Sequence, residues 1–129
     1  MTNLQRRFHL AGAIAAVGFL SSMISPALAD MVKLTQSEAI AHISGNTETW
    51  TKGGGYYAAD GTMQALWKGK ESKGSWEVKP DGQVCMVVEM WGANEECHEY
   101  VNDEGVVKLV FEGKARIAAI TAGNQLGSL

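Results

Sequence analysis

The apolar positions of this chain change period twice. An uncharged, largely apolar run comes first, over residues 10–24. A short stretch with Ala39, Ile40 and Ile43 at helical spacing follows. From Thr47 onward apolar and polar residues alternate, which is the period of a half-buried strand. Thr35-Gln36-Ser37-Glu38 reads as a capping box, with Thr at the N-cap and Glu three residues on. Gly45 stands where a helix ends in a left-handed residue. The pattern therefore predicts one helix over 36–44, too short to be stable without a surface to lie on.

Beyond it the pattern predicts a run of short strands. The first covers 47–51 and leads into a flexible Gly53-Gly54-Gly55 segment. The next covers 56–59 and closes at Asp60-Gly61, a hairpin turn signal. Met63, Ala65 and Trp67 alternate in a third strand, followed by a charged turn over 70–73. Trp76 and Val78 alternate in a fourth, which ends at Pro80-Asp81-Gly82, where proline presets φ and glycine accepts φ > 0. The longest strand is expected over 83–91, with its return over 96–101 and a turn over 102–105. Val107, Leu109 and Phe111 alternate, and a last strand is expected over 116–121 before a polar tail from Gly123-Asn124. Short strands joined by short turns make an antiparallel meander. The expected fold is mainly β: a small barrel or strongly curved sheet of seven or eight strands with one short N-terminal helix.

The first thirty residues change the picture of where this domain works. Arg6 and Arg7 precede the apolar run, and Ser25-Pro26-Ala27-Leu28-Ala29 follows it. A positive start, an apolar middle and an A-x-A-like site in that order make a cleavable export signal over 1–29, cut between Ala29 and Asp30. The run is short for a membrane span. His9 stands where a twin-arginine signal has an apolar residue, which favours the general secretory route. The expected address is the periplasm or the medium, with a single β domain over 30–129.

All 14 acidic residues follow the signal, whereas Arg6 and Arg7 of the 11 basic ones lie inside it. The remainder carries a net charge of −5. An acidic face excludes nucleic acid and anionic membrane surfaces as partners. Thirteen of the 15 glycines also lie in this part, spaced as turn punctuation. Both cysteines, Cys85 and Cys97, lie there too. An even count in an exported chain predicts a disulfide. If the two face each other across a hairpin, paired residues sum to 182 and the loop centres on Trp91-Gly92.

Leu34 with its capped helix and Gly45-Asn46-Thr47, then Tyr57 and Asp60-Gly61-Thr62, form one part of a wider pattern. Gly74-Ser75-Trp76, Asp81-Gly82, the cysteine pair and Gly123-Asn124 complete it. This order resembles a family of small exported alphaproteobacterial proteins of unknown function. The resemblance implies export and a compact β domain, and it carries no catalytic residues. Gly74-x-Trp76 is also similar to the G-x-W of lipocalins, which implies a barrel.

Candidate chemistry is sparse. His42 and His98 are the only histidines after the signal, short of the three or four convergent ligands a zinc site needs. Serines punctuate turns, and no acid–histidine–nucleophile order stands out. Glu95-Glu96 and Asp103-Glu104 read as solvated hairpin charges. No catalytic residue, cofactor or metal is expected. Trp67 and Trp76 alternate within strands and are expected in the core. Trp50, Tyr56, Tyr57 and Trp91 form the candidate binding surface. The expected function is a non-catalytic exported or envelope-associated binding module. Its ligand would be a small apolar molecule or a glycan, and the protein would be a monomer. The alternative is an inhibitor or adaptor that meets another exported protein through the Glu95-Glu96 hairpin. A hydrolase with unrecognised residues ranks third.

Overall fold

The computed structural model describes residues 31–129. The expected signal and its cleavage site at Ala29 and Asp30 lie outside them. Among the described residues no helix is long and apolar enough to cross a membrane.

The chain enters as a short strand β1 (Met31–Lys33) and forms one helix, α1 (Gln36–Ile43). The capping box forms in full: the Glu38 amide donates to Thr35 Oγ1 at 3.3 Å, and the Thr35 amide donates to Glu38 Oε1 at 3.1 Å. Two of the amides that a helix start leaves without partners are thereby satisfied. Ser44 caps the other end. Ala39 and Ile43 are fully buried, whereas Ile40 is 41% exposed, so the apolar stripe is narrower than its sequence spacing predicts.

A meander of eight strands follows: β2 (Asn46–Trp50), β3 (Gly53–Tyr57), β4 (Thr62–Trp67), β5 (Lys70–Val78), β6 (Val84–Val88), β7 (Glu95–Asp103), β8 (Val106–Phe111) and β9 (Lys114–Arg116). Each pairs antiparallel with the next. Strand β10 (Ile120–Ala122) then returns to the far edge and pairs with β2. β1 pairs with the second half of β7. The sheet is a curled half-barrel whose two ends, β9 and β10, are joined by residues 117–119 alone. The Thr49 amide donates to the Ala119 carbonyl at 2.9 Å, which holds this crossing against β2.

Several strand boundaries differ from the pattern, each for a local reason. Gly53-Gly54-Gly55 is not a flexible link; it is most of β3. A methyl at Gly53 would overlap the Leu66 carbonyl, and one at Gly55 would come within 2.7 Å of the Trp50 ring. Glycine is needed there for close approach. Residues 70–73 are not a turn; they open β5, because Lys68-Gly69 already makes a two-residue hairpin with φ of 49° and 78°. Both residues at positive φ define the hairpin loop whose twist matches the strands. The strand expected over 83–91 stops at Val88, and Glu89–Trp91 form one turn of 3₁₀ helix. The strand expected over 116–121 is split, since its middle crosses the gap between the sheet edges.

The inner face holds the core. Tyr57, Tyr100, Met63, Val84 and Val88 are fully buried within it, and Trp76 packs edge-on against Tyr57 at 5.6 Å. α1 closes one end of the half-barrel: Ile43 and Ala39 enter the core, and Gln36 Nε2 donates to the Val78 carbonyl at 2.9 Å. The C-terminal turn (Leu126–Ser128) covers the outer face of β2 and β3. There Thr47, fully buried, donates to the Gly123 carbonyl at 2.6 Å and accepts from the Gln125 amide at 2.9 Å.

The disulfide holds the hairpin as the cysteine arithmetic predicts. Cys85 and Cys97 are directly opposed on β6 and β7 and bonded, with Cα atoms 4.1 Å apart. Val84 faces His98 and Val87 faces Glu95, so paired numbers sum to 182. Such bonds persist in oxidising surroundings outside the cytoplasm.

Candidate functional site

Alternation along each strand decides what enters the half-barrel. β2 sends Glu48 and Trp50 inward, β4 sends Trp67, β6 sends Met86, β7 sends Glu96 and His98, and β8 sends Leu109 and Phe111. At the end away from α1 these side chains do not fill the space between the strands. They border an open-mouthed cavity of about 980 Å³, with Lys114 and Arg116 of β9 on its wall. That volume is at the upper end of small-molecule sites.

Three tryptophans form one side of the cavity. Trp50 and Trp91 lie 5.8 Å apart with rings tilted by 38°. Trp67 stands edge-on to both, at 6.3 Å from each. They arrive from β2, β4 and the 3₁₀ turn after β6. Edge-to-face and tilted contacts of this kind are favourable beyond the area they bury. The missing side chain at Gly55 leaves the space that the Trp50 ring occupies.

The floor is polar and buried. Glu48 is fully buried. Trp50 Nε1 donates to Glu48 Oε1 at 2.7 Å, and the Tyr100 hydroxyl donates to Glu48 Oε2. Burial pushes the Glu48 carboxyl above its ordinary value; the Tyr100 and Trp50 donors and the Arg116 charge pull it partly back. His98 Nε2 lies 3.2 Å from the Tyr100 hydroxyl, and His42 of α1 stands edge-on to the same ring at 4.7 Å. Burial, with help from the Arg116 charge, lowers His98 to about 4, so its ring is neutral at physiological pH. Burial raises the Tyr57 and Tyr100 hydroxyls well above the usual phenol range, and the Glu48 charge adds to this. No buried side-chain nitrogen or oxygen among the described residues lacks a partner.

The structure brings Trp50 and Trp91 together, from the end of β2 and the 3₁₀ turn after β6. It separates the two tyrosines from them. Tyr57, read from the sequence as part of an exposed surface, is fully buried in the core beside Trp76, because it faces inward one step below Gly55. Tyr56 faces the other way and lies opposite Thr47 and Gln64. Trp67, expected in the core, is only half-buried and lines the cavity. Glu95 ion-pairs with Lys79 at 3.5 Å, and Glu96 turns toward the cavity wall. Glu95 also approaches Cys85 and Cys97, but both sulfurs are committed to the disulfide. Sequence reading missed Glu48, His98 and Tyr100 as a group. Glu48 and Trp50 at i and i+2 share a strand face, which was the one local signal for it.

A curled antiparallel sheet plugged by a helix at one end and hollow at the other defines a half-barrel with an open, tryptophan-walled cavity. The chain belongs to the family described as "Protein of unknown function (DUF995)", whose model matches residues 11–114. No curated protein and no solved structure matches it. Gly74 and Trp76, the lipocalin-like pair, serve packing: β6 runs too close to Gly74 for a side chain, and Trp76 Nε1 donates to the Ala58 carbonyl at 2.8 Å.

Proposed function

We propose that this protein is a non-catalytic, exported binding module that holds a small, largely apolar molecule inside the half-barrel. The observation that carries this is the cavity of about 980 Å³ walled by Trp50, Trp67 and Trp91. Large rings that could have closed the core instead border an open volume. Leaving them so forgoes burial worth roughly 25 cal/mol per Å², and an apolar ligand would recover it. The disulfide supports an oxidising address, and with the export signal read from the sequence we place the protein in the periplasm. The floor residues bind and orient the ligand.

The test uses N-phenyl-1-naphthylamine, an uncharged fluorescent probe, with the purified disulfide-bonded protein. Saturable 1:1 binding that quenches tryptophan emission is expected, with at least tenfold weaker binding in Trp91→Ala. Native mass spectrometry of protein purified gently from its own host should show a retained small molecule. Linear, non-saturating probe uptake together with a bare protein mass would sink the proposal.

A further inference from the structure

The floor of the cavity carries an asymmetric hydrogen-bond relay. The Tyr100 hydroxyl has one proton, and it goes to Glu48 Oε2. Toward His98 that hydroxyl can only accept, so the proton between them belongs to His98 Nε2. A neutral imidazole protonated on Nε2 leaves Nδ1 as a bare acceptor. His98 is 6% exposed, and Nδ1 hydrogen-bonds no described residue. It is also not a sealed-off atom, since no buried side-chain nitrogen or oxygen among the described residues lacks a partner. His98 lines the cavity, and with Nε2 engaged by Tyr100 the ring nitrogen left to meet a ligand there is Nδ1. The chain thus presents one fixed acceptor at the bottom of an apolar, aromatic space.

We infer that His98 Nδ1 is the recognition point of the cavity, and that the ligand is a flat apolar molecule with a neutral hydroxyl or N–H at its buried end. This rests on the binding reading above and narrows it. Trp50, Trp67 and Trp91 take the apolar body. Trp50 also donates to Glu48, so the ring that holds the body and the relay that orients His98 are joined through one carboxylate. A ligand anion would meet the lone pair of Nδ1 with Glu48 behind it. Its attraction would come from Lys114 and Arg116, both exposed on the wall.

Three probes of one shape separate the readings: naphthalene, 2-naphthol and 2-naphthoate, titrated at pH 7 by tryptophan quenching. The expected order is 2-naphthol tighter than naphthalene by about tenfold, the fold-change of one good hydrogen bond, and 2-naphthoate weakest. His98→Leu should keep naphthalene binding and lose the preference for 2-naphthol. Should that variant not fold, ¹⁵N NMR of the wild-type imidazole decides the matter: Nε2 protonated, Nδ1 bare, and Nδ1 moving on addition of 2-naphthol. Equal binding of naphthalene and 2-naphthol overturns the inference while leaving the cavity reading intact. Preference for 2-naphthoate also overturns it, because the Lys114 and Arg116 charges would then select the head group. If none of the three binds, the cavity reading itself fails.

Discussion

Glu48 is the residue on which the interior turns. A carboxylate out of water is costly unless hydrogen bonds replace its solvent, and here Tyr100 and Trp50 supply them from two different strands. His98 is held neutral beside it, because burial disfavours the charged ring. The sign of the consequence follows from linkage. A histidine whose folded value is depressed stabilises the fold above its unfolded value near 6.5, and that contribution is lost as pH falls toward and through 4. The protein should therefore lose stability on the order of 3 kcal/mol from this group between about pH 6.5 and 4. His98→Gln should flatten that part of the profile. Urea denaturation of both proteins at several pH values measures it, and since Glu48 is common to both, its opposite slope drops out of the difference. Parallel profiles would show that His98 is not buried neutral.

The disulfide acts at the level of the hairpin. It joins residues 12 apart, and its main effect is to pin the β6–β7 register that sends Met86 and His98 inward. A one-residue slip would turn both to the outer face. The double substitution Cys85→Ser, Cys97→Ser should cost about 3 kcal/mol with unchanged far-ultraviolet circular dichroism. A double variant as stable as wild type would mean that the sheet holds this register unaided. The 3₁₀ turn after β6 has a separate role. Were residues 89–91 to continue as strand, as their apolar pattern suggests, Trp91 would extend past the sheet; the turn folds it back against Trp50.

Across the whole molecule, closure depends on chain rather than on ladder. Residues 117–119 span from β9 to β10, and the segment after them locks onto β2 through Thr47. That hydroxyl donates to one main-chain group and accepts from another, both brought from 76 and 78 residues away. Thr47→Val keeps the shape and removes both bonds. It should cost about 2 kcal/mol, the penalty for polar groups left without partners, and should loosen the C-terminal segment first. Hydrogen exchange at Gln125 reports this directly; unchanged protection there would show that Leu126 packing and the Gly123 and Asn124 hydrogen bonds hold the segment without Thr47.

Much of this was legible in one dimension. The capping box, Gly45 after the helix, the Asp60-Gly61 and Asp81-Gly82 turns and the cysteine register are all local, because each depends on backbone groups within a few residues or on strict alternation along a strand. The mainly β class followed from the same alternation. The glycine run, the lysine-rich start of β5 and the split last strand were misread for the complementary reason. Whether Gly53 is a hinge or a place of close contact depends on Leu66, and whether residues 116–121 stay paired depends on where the far sheet edge lies. The cavity was further out of reach. Trp50, Trp67 and Trp91 look alike in alternation, and nothing local distinguishes a ring that fills a core from one that borders a space. By itself the sequence determined the helix, the succession of strands in the meander and the register of its central hairpin. Only the tertiary structure decided that curling brings Glu48, His98 and Tyr100 onto one floor beneath three tryptophans, because curvature sums small twists over many strands.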